Sequence, residues 1–323
     1  MKRTRVCDLL SIEYPILQGA MGWIASAELV SAVSNAGGLG TLAFTAAAEA
    51  DANFAEVLKT QIRQTRALTD KPFAVNISVR RGQVEEMMEV AVAEKVPVVV
   101  TIGGSPRLYT KYLKDAGIKV LYVVFSERHA IGAEEAGVDA VIAMGYEGGG
   151  RGSQLELTTM VLVPLIVDKV KIPVIASGGI GDARGAVAAF GLGAEGIQMG
   201  TRFILTKECI AHPNYKEALL KASAEDTIIT GRGIDPGRVL KTEFAERILA
   251  LERSGANQEE ILEFIGIRRL RKAALEGDLK DGSVMCGAIL GLTKEIVSAE
   301  EVIKNIAVGF DKILAKIESL PNC

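Results

Sequence analysis

The sequence predicts an α/β protein: a (β/α)8 TIM barrel with a helical insertion domain. Three observations predict it. Eight short apolar runs recur through the first 200 residues, with amphipathic stretches between them. The runs are apolar on both faces, as strands covered by helices must be. Glycine-rich segments follow the seventh and eighth runs, where barrels of this class often hold phosphate. A doubly wound sheet is the alternative, because strand order cannot be read from one sequence. The count of eight and the position of the glycines favour the barrel.

The strands are expected at 15–19 (PILQG), 39–44 (LGTLAF), 73–77 (FAVNI), 97–102 (PVVVTI), 120–124 (VLYVV), 140–144 (AVIAM), 173–177 (PVIAS) and 196–200 (GIQMG). AELVSAVSNAG, VEEMMEVAVAEK and ARGAVAAFGLG between them have helical spacing and end near glycine or a charged residue. Beyond Arg202 the texture changes. PNYKEALLKASAE, FAERILALERSG and NQEEILEFIGIRRLRKAALEG read as helices, with no strand-like run among them. The expected division is therefore a barrel over residues 1–206, a helical insertion over 207–277, and a return segment over 278–323. The final amphipathic helix of that segment, VIKNIAVGFDKILAKI, packs on the barrel.

Composition narrows the function. Hydrophobic residues at 49% with 24% charged residues exclude a disordered chain. The formal net charge of −3, without a basic stripe, argues against nucleic acid. Cys7, Cys209, Cys286 and Cys323 are far apart, so no zinc pair or CxxC redox site is formed. His129 and His212 are too few for a multi-histidine metal site. No stretch approaches the roughly 20 apolar residues of a membrane span, and no signal-peptide apolar run follows the basic start. The expected setting is a reducing cytoplasm. The expected partners are a small-molecule substrate and a second copy of the chain, with no nucleic acid, membrane or metal.

Candidate site residues fall on the strand ends. The seventh strand ends in Ser177-Gly178-Gly179-Ile180-Gly181, the eighth in Gln198-Met199-Gly200-Thr201-Arg202. Glycines let the backbone approach a phosphate and present N–H groups to it, and Thr201 adds a hydroxyl. Gly19-Ala20-Met21-Gly22 ends the first strand, where small residues let a flat ring lie on the backbone. Asn76 and Ser78 end the third; an amide in an apolar run needs partners. After the sixth strand, Gly145-Tyr146-Glu147-Gly148-Gly149-Gly150-Arg151-Gly152 forms a loop that can lie against a ligand. Each feature also has a plainer origin: tight βα turns, an amide bonded to its neighbours, a solvated arginine.

PILQGAMGW, NAGGLGTLAF, KPFAVNIS, the GYEGGGRG loop, IPVIASGGIGDARG, GAEGIQMGTRF, HPNYK and GAILGLTKEI, in this order, resemble the nitronate monooxygenases, formerly 2-nitropropane dioxygenases. The flavin-dependent enoyl-acyl-carrier-protein reductases share their superfamily. The resemblance covers nearly the whole chain. It implies an FMN flavoprotein with a barrel plus a helical domain, and FMN lined by Ala20, Met21, Gly22, Asn76, Ser177, Gly178, Gly179, Gln198, Met199, Gly200 and Thr201. Ser78 and Gly149 join that set from the strand-end reading. The family's loop usually reads Glu-x-Gly-Gly-His, the histidine serving as acid or base. Here Glu147-Gly148-Gly149-Gly150 is followed by Arg151, which cannot take up a proton at neutral pH. Arg151 and Glu147 are the candidate catalytic residues: Arg151 to hold an anionic group, Glu147 to orient Arg151 as an ion pair or to position the loop. His129 is a weaker candidate base at a helix start, and His212 reads as structural. Trp23 and Met21 serve as ligand wall or core, and nothing marks Cys286 as reactive.

The implied activity is oxidation of an anionic nitronate with O2. The alternative is an NAD(P)H-dependent flavin reductase acting on an enoyl thioester or a quinone, with NAD(P)H as reductant. A non-catalytic phosphate-ligand-binding barrel is the third reading.

Overall fold

The computed structural model describes residues 1–80 and 82–321; Arg81, Asn322 and Cys323 lie outside it. The described strands are β1 (Ile16–Gln18), β2 (Gly40–Ala43), β3 (Phe73–Ser78), β4 (Val98–Ile102), β5 (Lys119–Val124), β6 (Ala140–Met144), β7 (Gly150–Arg151), β8 (Val174–Ser177), β9 (Gly196–Met199), β10 (Thr227–Thr230) and β11 (Gly237–Leu240). Eight of them form one parallel sheet in the order β1-β9-β8-β6-β5-β4-β3-β2. A bridge between Leu17 and Leu39 brings its two edges together as a barrel. These are the eight expected strands, each displaced by no more than one residue at either end.

The same residues explain why the barrel is filled. Leu17, Leu39, Ala74, Val98, Leu121, Ala140 and Ile175 point inward, and Val6, Cys7, Leu10 and Ile12 pack beneath them. Helix α1 (Arg5–Leu10) thus plugs the N-terminal end of the barrel. At six residues it is too short to show a period, so the sequence reading passed over it. The outward faces of the strands pack under α2 (Ala27–Asn35), α3 (Phe54–Leu68), α4 (Val84–Ala93), α5 (Thr110–Asp115), α6 (Glu127–Glu135), α7 (Thr159–Val167) and α8 (Ala183–Gly191). Side-chain caps fix several starts: Asn53 accepts from the amides of Ala55 and Glu56, Ser126 from His129, and Asp182 from Arg184.

Only one short helix, α9 (Thr201–Ile204), follows β9 directly. The chain then runs through α10 (Pro213–Lys221), the hairpin β10–β11, α11 (Glu243–Arg253), α12 (Gln258–Ile265) and α13 (Ile267–Arg271), and returns as α14 (Ala299–Glu318). That last helix packs on α8 and α2, with the Phe190 and Phe310 rings edge to face 5.0 Å apart. It fills the eighth helical place of the barrel.

The expectation of a strand-free segment over 207–277 is corrected by β10 and β11, which pair antiparallel from Thr227↔Leu240 to Thr230↔Gly237. TIIT and GRVL are four residues each, too short to show a period beside the longer helices. The sixth loop was expected to be irregular. Instead Gly150–Arg151 pairs with Gly237 and Arg238, giving a three-stranded sheet β10-β11-β7. The long helical stretch after Asn257 is broken at Gly266, whose φ of +38° ends α12.

Candidate functional site

The C-terminal ends of the barrel strands open into one cavity of about 290 Å3. It is lined by Ala20, Met21, Gly22, Asn76, Ser78, Glu147, Gly149, Arg151, Ser177, Gly178, Gly179, Gln198, Met199, Gly200 and Thr201, all candidates from the sequence. The fold therefore brings them together from five strand ends and their loops.

The glycine side is a turn that only glycine tolerates. Gly178 and Gly179 have φ of +96° and +71°, and a Cβ on Gly178 would lie 2.8 Å from the Gly145 carbonyl oxygen. The amides of Gly179 and Ile180 have no acceptor among the described residues. They lie just ahead of the N-terminus of α8, where amides and helix dipole both favour an anion. Thr201, expected to offer its hydroxyl, is already tied in one sense: its Oγ1 accepts from the Gly287 amide at 2.8 Å, which leaves its proton to donate. The Ser177 hydroxyl donates to Gln198 Oε1 at 3.2 Å, coupling the ends of β8 and β9.

The opposite floor is flat and apolar. Gln18 is buried and clamps Thr41 through both amide atoms, accepting from its N–H at 2.9 Å and donating to its carbonyl at 3.3 Å. That clamp sets the course of Gly19–Gly22. The Asn76 amide donates to the Val100 carbonyl of the next strand at 3.1 Å, and its Oδ1 has no donor among the described residues. The plainer reading of Asn76 thus holds for its amide nitrogen, and Oδ1 is left for the ligand reading. Val100, Ile102, Val123 and Met144 make the apolar wall. Trp23 is 1% exposed, meets Phe54 edge-on at 6.2 Å, and touches the cavity only from the core.

Glu147 and Arg151 are the only charged side chains lining the cavity among the described residues. The reading in which they pair is corrected. Glu147 accepts from the Thr159 amide at 2.9 Å and from the Thr159 hydroxyl at 3.1 Å. Its backbone carbonyl accepts from Ala288 at 2.8 Å. Glu147 thus positions the loop. The Arg151 guanidinium pairs with Asp235 Oδ2 at 2.6 Å. Around that pair, the Gly152 amide donates to the Pro236 carbonyl at 2.8 Å, and Arg238 donates to the Tyr146 carbonyl at 3.1 Å. On the far side, a Cβ on Gly149 would lie 2.5 Å from the Cys286 carbonyl carbon. The loop is therefore held between the hairpin and the return segment.

The other candidate groups are elsewhere or occupied. His129 lies at the start of α6 and does not line the cavity; partial desolvation of its ring and then the nearby Arg128 and Arg80 cations lower its pKa. His212 caps α10, its Nδ1 accepting from Asn214 at 3.1 Å. Burial, then Glu156, raises the Tyr146 phenol, which donates to Glu156 at 2.6 Å. Cys286 is buried and its thiol is pushed up to about 12. Tyr215, which does line the cavity, is raised well above the ordinary tyrosine value by burial and donates to the Met285 carbonyl at 2.6 Å.

Asp235, Arg238, Met285, Gly287 and Ile289 were not anticipated. Asp235-Pro236-Gly237 carries an ordinary turn signal, which marks a turn but not the strand it pairs with.

Fold and site define a class: a (β/α)8 barrel whose strand ends enclose one glycine-edged, largely apolar cavity. The nitronate monooxygenase family model matches residues 3–94 and 83–309, and the chain belongs to that family. Its relatives are oxidoreductases. The (3aS,4S,5R,7aS)-5-hydroxy-7a-methyl-1-oxo-octahydro-1H-indene-4-carboxyl-CoA dehydrogenase of Mycobacterium tuberculosis is 36% identical over 88% of this chain and 79% of its own. A probable nitronate monooxygenase of Staphylococcus saprophyticus is 36% identical over 76% and 80%. The solved structure of FabK from Thermotoga maritima matches with a TM-score of 0.92 and 44% identity, covering 98% of this chain and 99% of that one. Nitroalkane oxidase of Streptomyces ansochromogenes, 24% identical with a TM-score of 0.81 over 97% of this chain and 99% of its own, shares the fold. None of the described helices is long and apolar enough to cross a membrane.

Proposed function

We propose that the chain is an FMN-dependent oxidoreductase that reduces the carbon–carbon double bond of an enoyl thioester, drawing its electrons from NAD(P)H. The observation that carries this reading is the match to FabK, an enoyl-acyl-carrier-protein reductase, at 44% identity over both whole chains. A carboxyl-CoA dehydrogenase among the curated relatives points to the same thioester class.

The residues present fit FMN. The unpaired amides of Gly179 and Ile180, with the Thr201 proton, suit its phosphate. Gly19–Gly22 leave room for a ring, the Asn76 amide offers it a polar edge, and the wall from Val100 to Met144 lies beneath. When bound, the flavin supplies two-electron transfer between nicotinamide and substrate.

The charged groups decide what the protein adds. Among the described residues the cavity's two charged side chains are both engaged, Glu147 with Thr159 and Arg151 with Asp235. A reaction that puts negative charge on a substrate oxygen calls for a cation, and Arg151 holds that oxygen with the N–H groups that its pair with Asp235 leaves over. In this reading residues 1–206 hold the cofactor, 207–277 cover the mouth and carry the counter-ion of Arg151, and 278–323 close the barrel. The enzyme is a cytoplasmic homodimer, the assembly being read by light scattering.

Oxidation of a preformed nitronate by O2 is the second reading, favoured by the family model and by the same permanent cation. Anaerobic mixing with NADH separates the two. Rapid bleaching of the flavin absorbance, reversed by crotonyl-CoA, is the expected result. Flavin untouched by NADH and turnover only with nitronate and O2 would replace the first reading with the second. A colourless protein that takes up no FMN removes both and leaves a phosphate-ligand-binding barrel.

A further inference from the structure

A second opening lies on the outer side of the hairpin. It is a groove of about 540 Å3 lined by Thr227, Ile229, Arg232, Arg238, Leu249 and Arg253, with Glu252 at its edge. Three guanidinium groups face one carboxylate, and that carboxylate already accepts from the Gly231 amide at 2.5 Å. Arg238 is anchored on Thr227 Oγ1 at 2.9 Å and has no carboxylate partner among the described residues. Arg232 shares Glu156 with Tyr146. Arg253, the last residue of α11, has no ion-pair partner among the described residues. Ile228, Ile229 and Leu249 add apolar surface between the cations.

The groove adjoins the central cavity. Arg238 lines the groove and stands opposite Gly150 in the β11–β7 ladder, while Gly150 and Arg151 line the cavity. Neighbouring strands are separated by about 5 Å, so one ladder divides the two openings. Cationic side chains interleaved with apolar ones suit a ligand end that combines phosphates with a flat heterocycle.

We infer that this groove binds an adenosine phosphate group, the distal end of a ligand whose reactive end enters the central cavity. The assignment rests on the thioester reading, under which both the acyl-CoA and the nicotinamide dinucleotide carry such an end.

Calorimetric titration of the holoenzyme tests it directly. Adenosine 3′,5′-bisphosphate represents the CoA source and ADP-ribose the dinucleotide source. Binding of either probe, weakened about tenfold or more in Arg253→Glu, supports the site and names its source. If wild type binds neither, or if Arg253→Glu and Arg253→Ala bind as wild type does, the inference is overturned. Kinetics give an independent readout. For a CoA source, KM for crotonyl-CoA rises about tenfold in Arg253→Glu, while KM for the phosphate-free crotonyl N-acetylcysteamine thioester and kcat stay in place. For a dinucleotide source, KM for NADH rises instead. Equal rises for both thioesters would mean a general disturbance and count against the groove. If wild type reduces neither thioester, the enoyl-thioester reading fails, and the two titrations still decide the groove.

Discussion

The two sides of the cavity are built in opposite ways. At the ends of β8 and β9, the lining residues are the strand ends themselves: Ser177, Gly178 and Gly179, then Gln198, Met199 and Gly200. Their backbone turn is shaped by positive φ at two glycines and by the start of α8, and it packs closely against Gly145 at the end of β6. At the end of β6, the loop that carries Glu147 and Arg151 gets its shape from residues far along the chain. Asp235, Pro236 and Arg238 hold one side, and Gly287 and Ala288 the other. The first side is a local turn that any barrel of this kind can make. The second is a seam between the barrel, the insertion and the return segment, and it carries the one cation that lines the cavity among the described residues.

That contrast can be broken first on its local side. Gly179→Val should strip FMN from the protein while leaving the barrel folded. The cause is the +71° backbone, costing a β-branched residue about 1–2 kcal/mol; a Cβ there would make only ordinary contact, 3.5 Å from Glu147. The ratio of flavin to protein absorbance, with circular dichroism as control, checks it. Full flavin occupancy in this variant would show that the phosphate does not sit at this turn.

The next effect belongs to the seam. Arg151→Ala should weaken an anionic inhibitor by about 1.5–3 kcal/mol, the span for a hydrogen bond to a charged group. Arg151→His restores a titratable group at the position and should raise turnover of a neutral nitroalkane relative to its nitronate. Steady-state kinetics on both substrates, for wild type and both variants, decide it. Wild type handling the neutral nitroalkane as well as the anion would reveal a base elsewhere.

Asp235→Asn sharpens the comparison in the other direction. Removing the counter-ion frees Arg151 for the ligand, so an anionic inhibitor should bind tighter, by no more than about 1 kcal/mol, because the pair is partly exposed. Weaker binding would mean that Asp235 is needed mainly to place Arg151.

A separate effect is expected at alkaline pH, in the return segment. Burial raises the Cys286 thiol from an ordinary 9.0 to about 12. The folded state therefore favours the neutral thiol. Its contribution is fully present below pH 9 and is lost as pH rises through 9 towards 12. Urea midpoints for wild type and Cys286→Ala should converge on raising the pH over that window. A parallel pair of curves would place the thiol's titration elsewhere.

Legibility followed the same divide. The eight barrel strands show in the sequence because each is a both-faces-apolar run between amphipathic helices. The glycine turns show because they fall at the ends of those runs. Asn76 showed because an amide interrupts an apolar strand. What stayed hidden were the elements without a local period: the six-residue plug α1, the four-residue strands β10 and β11, and the two-residue β7. For Glu147, four positions from Arg151, the sequence leaves open an ion pair or a loop-positioning role, whereas the structure pairs Arg151 with Asp235, 84 positions further on. Nearness in sequence was the only guide there, and the hairpin overrode it.

The sequence by itself determined eight strands apolar on both faces, their glycine-rich ends and the presence of a permanent cation in the sixth loop. Those follow from hydrophobic period, backbone allowance and an unshiftable guanidinium charge, all properties of short segments. The tertiary structure alone decided which carboxylate neutralises that cation, that the loop is a strand of the insertion's sheet, and that the eight strands close into a barrel rather than a doubly wound sheet. Each depends on pairing between segments tens to hundreds of residues apart, where β-ladder hydrogen bonds and buried contacts select the partner.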